Sequence, residues 1–365
     1  MKRLAVLISL SGEGGVERMV LNLVEAFAAR PDLVIDLVLI REESPHLGDI
    51  PANVNVVRLG VRHSALAIPR LAAYLRRVRP DALLAAKDRA GRAALLARRL
   101  AGVPTRVVIR IGTTLSEALK GKGALQRWLR YVPIRRLYGW ADGIVAISQG
   151  VADDVAAIAA LPRDRIHVVR NPVLTPRLAL LAAQPVGHPW LEDGAIPVIM
   201  GVGRLTRQKD FPTLIRAFAR LRRERPARLV ILGEGRDRQA LLDLAAREGV
   251  AADVALPGFQ PNPYPWLAKA RVFVLASIWE GFGNVLAEAM ALGTPVVATD
   301  CRSGPRELLD DGRYGPLVPA GDSEAMARAI GEVLDRPLPR DLLVAAVREY
   351  DVELSARRYL DVLGL

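Results

Sequence analysis

Both halves of the 365-residue chain repeat one pattern: a short run rich in Val, Ile and Leu, a turn, then a segment with apolar residues at helical spacing. That alternation specifies parallel β-α-β units, because parallel strands need a long crossover and are buried on both faces. In the first half it predicts strands at residues 4–10, 35–40, 82–85, 106–111 and 143–147, with helices at 16–29, 68–78 and 91–101. In the second it predicts strands at 197–202, 228–232, 254–256, 272–276, 295–299 and 316–318, with helices at 211–225, 236–248, 284–292 and 323–334. Residues 173–196 are rich in Pro and Gly and lack periodicity, so they read as a linker. The expected organisation is a doubly wound α/β domain over 1–172, the linker, a second such domain over 197–340, and a helical segment over 341–365 packing across the junction. Two such sheets facing each other would bring their strand ends to a shared cleft, where ligands of doubly wound sheets bind.

Half of the residues are apolar, enough for large cores, yet no eighteen follow one another without a charge, so a spanning helix is not expected. The start resembles a signal peptide, but its apolar run is short and lacks a cleavage site, so it reads as a buried strand. A single cysteine, Cys301, excludes an internal disulfide, and a reducing, cytoplasmic setting is expected, with the chain soluble or peripheral on the inner membrane face. No histidine lies near Cys301 in sequence to activate it, so it reads as a small buried residue. The net charge of +12 is lopsided. Residues 1–180 hold 28 of the 51 Lys and Arg but only 15 of the 39 Asp and Glu, a net of +13, which leaves −1 for the remainder. A nucleic-acid partner is therefore not the expected reading. The densest stretch carries Lys120, Lys122, Arg127, Arg130, Arg135 and Arg136 without an acid, interleaved with Leu125, Trp128 and Leu129 at helical spacing. It suits a packed helix with a solvated cationic face first and an anionic membrane surface second, and Pro133 is expected to kink or interrupt it.

The second half carries two glycine turns that each follow a strand and open a helix. In the first, Glu280-Gly281-Phe282-Gly283-Asn284-Val285 leads into a helix that holds Glu288; its glycines let the backbone approach a ligand, and amides at a helix start favour a phosphate. Each carboxylate can accept two hydrogen bonds from sugar hydroxyls. Alone, this would be an ordinary strand-to-helix turn. The second, Gly201-Val202-Gly203-Arg204-Leu205-Thr206-Arg207-Gln208-Lys209-Asp210, supplies Arg204 and Lys209, a guanidinium fork and a point charge able to neutralise a diphosphate together. Near the start, Gly14 and Gly15 fit close approach to a ligand, but Glu17 stands where a dinucleotide fingerprint needs glycine. Glu17 fits a helix start equally well.

Taken in order, Gly14-Gly15-Val16-Glu17-Arg18, Gly203-Arg204-Leu205 with Lys209-Asp210, Leu232-Gly233-Glu234-Gly235, and Glu280 with Glu288 eight residues on resemble the retaining glycosyltransferases of family 4, whose GT-B fold joins two Rossmann-like domains. The resemblance implies an acceptor domain in the first half and a donor domain in the second. It implies that Glu280 contacts the transferred sugar and Glu288 the ribose, that Arg204, Lys209 and the turn from Gly281 to Val285 bind the pyrophosphate, and that base contacts come near Gly233, Glu234, Gly258 and Phe259. Many relatives carry a His-Gly pair in the first domain where this chain has Arg110-Ile111-Gly112, so Arg110 either substitutes on the acceptor side or turns its side chain toward a buried acid.

The expected activity is transfer of a hexosyl or N-acetylhexosaminyl group from a nucleotide-diphosphate sugar, UDP-linked, to a glycan or lipid-linked acceptor in surface glycan synthesis, with retention implied by the resemblance alone. Departure of the nucleotide leaves an oxocarbenium-like sugar, so stabilisation of the leaving phosphates by Arg204 and Lys209 is the main contribution expected. No metal or other cofactor is called for by this reading, and no convincing Asp-x-Asp is present. Two other readings differ in their tests. A sugar phosphorylase or epimerase on the same frame would, if pyridoxal-dependent, show cofactor absorbance, and a non-catalytic nucleotide-sugar binder would bind without turnover.

Overall fold

The structure is a computed structural model that describes residues 1–10, 15–42, 48 and 50–365. The described chain forms two compact units, one comprising Met1–Pro172 with Tyr350–Leu365 and the other Val173–Glu349. In the first, seven strands β1 (Lys2–Leu10), β2 (Leu33–Glu42), β3 (Asn55–Arg58), β4 (Ala82–Ala85), β5 (Arg106–Ile111), β6 (Gly143–Ala146) and β7 (Ile166–Val168) lie in the order β3-β2-β1-β4-β5-β6-β7. In the second, β8 (Val198–Val202), β9 (Arg228–Leu232), β10 (Val254–Gly258), β11 (Val272–Leu275), β12 (Val296–Thr299) and β13 (Leu317–Val318) lie in the order β10-β9-β8-β11-β12-β13. Every strand pairing is parallel.

Helices cover both faces of each sheet, which is why successive residues Leu4, Ala5, Val6 and Leu7 are all buried rather than alternating. Each sheet is doubly wound from its first strand. The order reverses between β1 and β4 in one unit and between β8 and β11 in the other, and the connections leaving these neighbours diverge to open a crevice at the strand ends.

Three segments depart from the sequence reading. The expected linker at 173–196 is packed onto the second unit: it forms helices Leu178–Ala182 and Pro189–Asp193, buries Val173, Leu178 and Leu191, and sets His188 against the Trp266 ring. Arg228 also lies over the Trp190 ring, and Lys269 pairs with Glu192 at 2.9 Å. The expected helical segment over 341–365 is two helices, divided between the units. Helix Arg340–Ala346 belongs to the second unit, whereas helix Val352–Leu363 belongs to the first, where Val352, Ala356, Tyr359, Leu360 and Leu363 complete the core beneath β1 and β4. The break is marked by Asp351, whose carboxylate accepts from the amides of Glu353 and Leu354 at 2.9 and 3.0 Å and so caps the second helix. Finally, helix Ala124–Leu137 runs unbroken through Pro133; the carbonyl that loses its partner is that of exposed Leu129, where water can satisfy it.

Candidate active site

The reversal between β8 and β11 is where the second unit concentrates its chemistry. The connection after β8 makes a short turn at Arg207–Lys209, and the connection after β11 leads through Ser277 and Glu280 into helix Asn284–Ala291. Two backbone-anchored contacts hold them side by side: the Ile278 amide donates to the Gln208 carbonyl at 2.8 Å, and Gln208 Nε2 donates to the Trp279 carbonyl at 3.0 Å. Across this seam Lys209 Nζ meets Glu280 Oε1 at 2.5 Å, and the same oxygen accepts from Ser277 Oγ at 2.7 Å. Glu280 is only 7% exposed, so its charge is taken from water and met by a hydrogen-bonded cation.

The connection after β12 fixes the backbone of Glu280. Its amide donates to the Arg302 carbonyl, and the Ser303 amide donates back to the Glu280 carbonyl, both at 3.0 Å. Gly304 follows at φ 106°, where a β-carbon would fall 2.4 Å from the Phe282 carbonyl oxygen. This close approach requires glycine. Cys301 lies buried beside the pair, and burial, reinforced by the Glu280 charge, pushes its thiol up to about 12. A thiol so held is protonated at neutral pH and is no nucleophile.

The glycines serve space as much as flexibility. A β-carbon on Gly203 would sit 2.8 Å from Lys209 Cε, and one on Gly233 would sit 2.1 Å from the Gly203 carbonyl oxygen. Glu234 Oε1 lies 2.7 Å from where Gly258 would carry its β-carbon, so these two positions, assigned to base recognition, are adjacent. Arg204 and Glu234 are exposed at the strand ends, and Phe259 is half-buried there. Gly281, Phe282 and Gly283 are buried, Asn284 and Val285 are half-buried, and Gly283 at φ 95° opens the helix without a side-chain cap. Glu288 lies within that helix and is fully buried.

In the first unit Gly15 begins helix Gly15–Ala28, while Gly14 falls outside the described residues. Arg110 is corrected. It is 1% exposed and therefore has no surface to present to an acceptor; its position on β5 aims it under the C-terminal helix, where Nη2 donates to Asn171 Oδ1 at 2.7 Å. Its charge lies close enough to Tyr359 to oppose the upward push of burial on that phenol.

Ser277 and Gln208 were not singled out from the sequence, and neither was Lys87. Lys87 follows β4 and pairs with the buried Glu17 at 3.1 Å, so a lysine–glutamate pair spans the strand-order reversal in this unit too. A lysine directly after a predicted strand was the available signal.

Comparison with known proteins agrees with this fold. Residues 14–172 match the model of a glycosyl transferase 4-like domain, and residues 196–336 match that of glycosyl transferases group 1. The chain is 30% identical over 348 residues to the N-acetylgalactosamine-N,N'-diacetylbacillosaminyl-diphospho-undecaprenol 4-alpha-N-acetylgalactosaminyltransferase of Campylobacter jejuni, covering 92% of this chain and 91% of that one. It is 31% identical over 326 residues to the lipopolysaccharide core biosynthesis glycosyltransferase LpsE of Rhizobium meliloti, covering 88% and 86%. Among solved structures, HepE of Anabaena in complex with UDP-glucose superposes over the full length of both chains with a TM-score of 0.79 at 19% identity, which speaks to the fold.

Proposed function

The chain belongs to the glycosyltransferases of the GT-B fold, and from that premise we propose that it moves a hexosyl or N-acetylhexosaminyl group from a UDP-linked donor to a glycan or lipid-linked sugar, with retention. The observation that carries this reading is the Lys209–Glu280 pair at the strand-order reversal of the second unit. Lys209 and Arg204 are the cations for the departing diphosphate, Glu280 takes the hydroxyls of the transferred sugar, and Glu288 serves the ribose side. The Lys209 charge stabilises the leaving phosphates most where their negative charge grows, in the transition state. When the donor is absent, Glu280 occupies that charge, which keeps the ammonium at the strand ends. Two cations at the diphosphate make a metal unnecessary in this scheme, so activity should survive chelation.

The acceptor assignment leans on the relatives. The Campylobacter protein is named for an acceptor on diphospho-undecaprenol, and LpsE for lipopolysaccharide core synthesis. No described helix is long and apolar enough to cross a membrane. An anionic membrane surface is the proposed partner of helix Ala124–Leu137, whose residues 124–129 are all exposed. The deciding experiment is transfer from a panel of nucleotide sugars, with the anomer of the product read by NMR. Wild-type transfer with a retained anomer is expected, as is a loss of at least a hundredfold in Glu280→Gln and Lys209→Ala. Full activity in both variants would overturn the site, and an inverted anomer would overturn retention.

A further inference from the structure

The connection out of β4 carries positive charge that the donor site in the other unit does not use. Asp88 opens helix Asp88–Ala101 at the strand end bordering the reversal between β1 and β4. Its buried carboxylate accepts from Tyr138 Oη at 2.9 Å through Oδ1, while Oδ2 is shared by Arg92 Nη2 at 3.1 Å and Arg130 Nη2 at 3.0 Å. Two guanidinium groups thus converge on one oxygen, and a single negative charge stands between two positive ones. Arg89, exposed on the first turn of the same helix, adds a third. Burial, and then the charges of Arg92 and Arg89, work against protonation of Arg130, whereas Asp88 works for it. Lys87, one residue earlier, is already matched by Glu17. Around Asp88, then, two arginines share one carboxylate, and the charge of a third, Arg89, acts on Arg130.

Crowding like charges costs free energy, and a fold that retains the arrangement gains when an anion spreads over it. The remaining donors suit an anion with several oxygens: Arg92 Nε is buried and finds no acceptor among the described residues, and Arg92 and Arg130 are each partly open to solvent. Guanidinium forks match phosphate oxygens better than they match a single point acceptor. The cluster also lies at the strand-end edge, where doubly wound sheets hold their ligands.

We propose that Arg89, Arg92 and Arg130 form the seat of a phosphate or diphosphate group, and that during transfer this group is the one that links the acceptor sugar to its carrier. The proposal rests on the glycosyltransferase reading above and assigns the anionic part of the acceptor to named side chains of the first unit.

Calorimetric titration of the full chain with inorganic diphosphate tests it, comparing wild type, Lys209→Ala, Arg130→Gln and Arg89→Gln. Two classes of site are expected in the wild type. Lys209→Ala should lose one, Arg130→Gln should weaken the other at least tenfold, and Arg89→Gln should weaken it severalfold. Because Arg89 is exposed, its substitution leaves the fold intact should Arg130→Gln fail to fold. Wild-type titration by the Arg89 and Arg130 variants overturns the seat. Wild-type titration by Lys209→Ala overturns the donor assignment and leaves the seat standing.

A second arm separates free from carrier-linked phosphate. With donor saturating, the ratio of kcat/KM for a diphosphate-linked acceptor to that for the same sugar as a neutral glycoside should fall at least fivefold in Arg89→Gln. An unchanged ratio overturns the acceptor assignment.

Discussion

The stem of Lys209 runs so close over Gly203 that a β-carbon there would meet its Cε at 2.8 Å, its Cδ at 3.0 Å and its Cγ at 3.1 Å. Gly203 therefore sets the path by which the ammonium reaches Glu280, six residues on in one direction and across a 71-residue gap in the other.

Gly203→Ala should cost function as well as stability. The clash falls on a flexible side chain that can swing aside, but the glycine sits at φ 157°, which residues with a side chain rarely adopt, so a stability loss of about 1 to 2 kcal/mol is expected. The ammonium then no longer sits at the diphosphate, and kcat/KM for the donor should fall about tenfold to a hundredfold, roughly 1.4 to 2.7 kcal/mol of transition-state stabilisation. Gly233→Ala is the contrast, since its β-carbon would fall 2.1 Å from a backbone carbonyl at φ 133°. That clash has no side chain to absorb it, and a stability loss above about 2 kcal/mol is expected in denaturant titration.

Cys301 links the site to alkaline pH. Its folded thiol is raised to about 12 from an ordinary 9.0, so between those values the folded chain keeps a proton that the unfolded chain releases. The contribution is whole below pH 9 and is lost as pH rises toward 12. Cys301→Ala should therefore flatten the fall in stability over that window without abolishing transfer. Iodoacetamide should leave the native protein unlabelled at pH 8 and label it once unfolded; rapid native labelling at full activity would contradict the burial.

Much of this arrangement was legible in the chain because its central strands are apolar without interruption. All six strands of the second unit were readable, whereas β3 and β7 were not: both are short sheet edges, and only Ile166 among their residues is fully buried. Residues 173–196 misled because what orders them is remote. Asn262, Trp266, Arg228 and Lys269 reach back from 38 to 81 residues away, and no local periodicity records that. The site behaved likewise. Arg204, Lys209 and Glu280 stood out by residue type beside glycine turns, but the contact of Lys209 with Glu280 and the support from Ser277 follow from the reversal of strand order. Arg110 failed for a simpler reason: alignment with a motif does not say which face of β5 a residue takes, and here it is the covered one.

Helix Ala124–Leu137 gives the membrane proposal a sharp readout. Leu125, Trp128 and Leu129 are each more than half exposed, beside Lys122 and Arg127. Trp128→Ala or Leu129→Glu should leave the unfolding midpoint within about 0.5 kcal/mol, because neither side chain is packed. Both should reduce co-sedimentation with vesicles containing phosphatidylglycerol, and raising salt should weaken binding of the wild type. Wild-type sedimentation by both variants would assign the exposed face to something other than a bilayer.

Removal of Tyr350–Leu365 tests how far the first unit depends on a segment that follows the second in sequence. Helix Val352–Leu363 fills the core with Val352, Ala356, Tyr359, Leu360 and Leu363, and it covers the Arg110 guanidinium that Asn171 holds at 2.7 Å. Burial of the larger apolar side chains contributes about 1.5 to 3 kcal/mol each, and the deletion also opens a charged group that the fold had enclosed. The sum is comparable with the whole net stability of an ordinary domain, about 5 to 15 kcal/mol. The truncated chain should therefore be recovered aggregated or with its first unit unfolded in hydrogen exchange, while helix Arg340–Ala346, which remains, keeps the second unit protected. The point variant Arg110→Met keeps the volume and removes the charge, so it should cost far less than the deletion and leave donor affinity unchanged. A soluble truncated protein with native exchange protection across β1, β4 and β5 would show that the helix is dispensable to the core it completes.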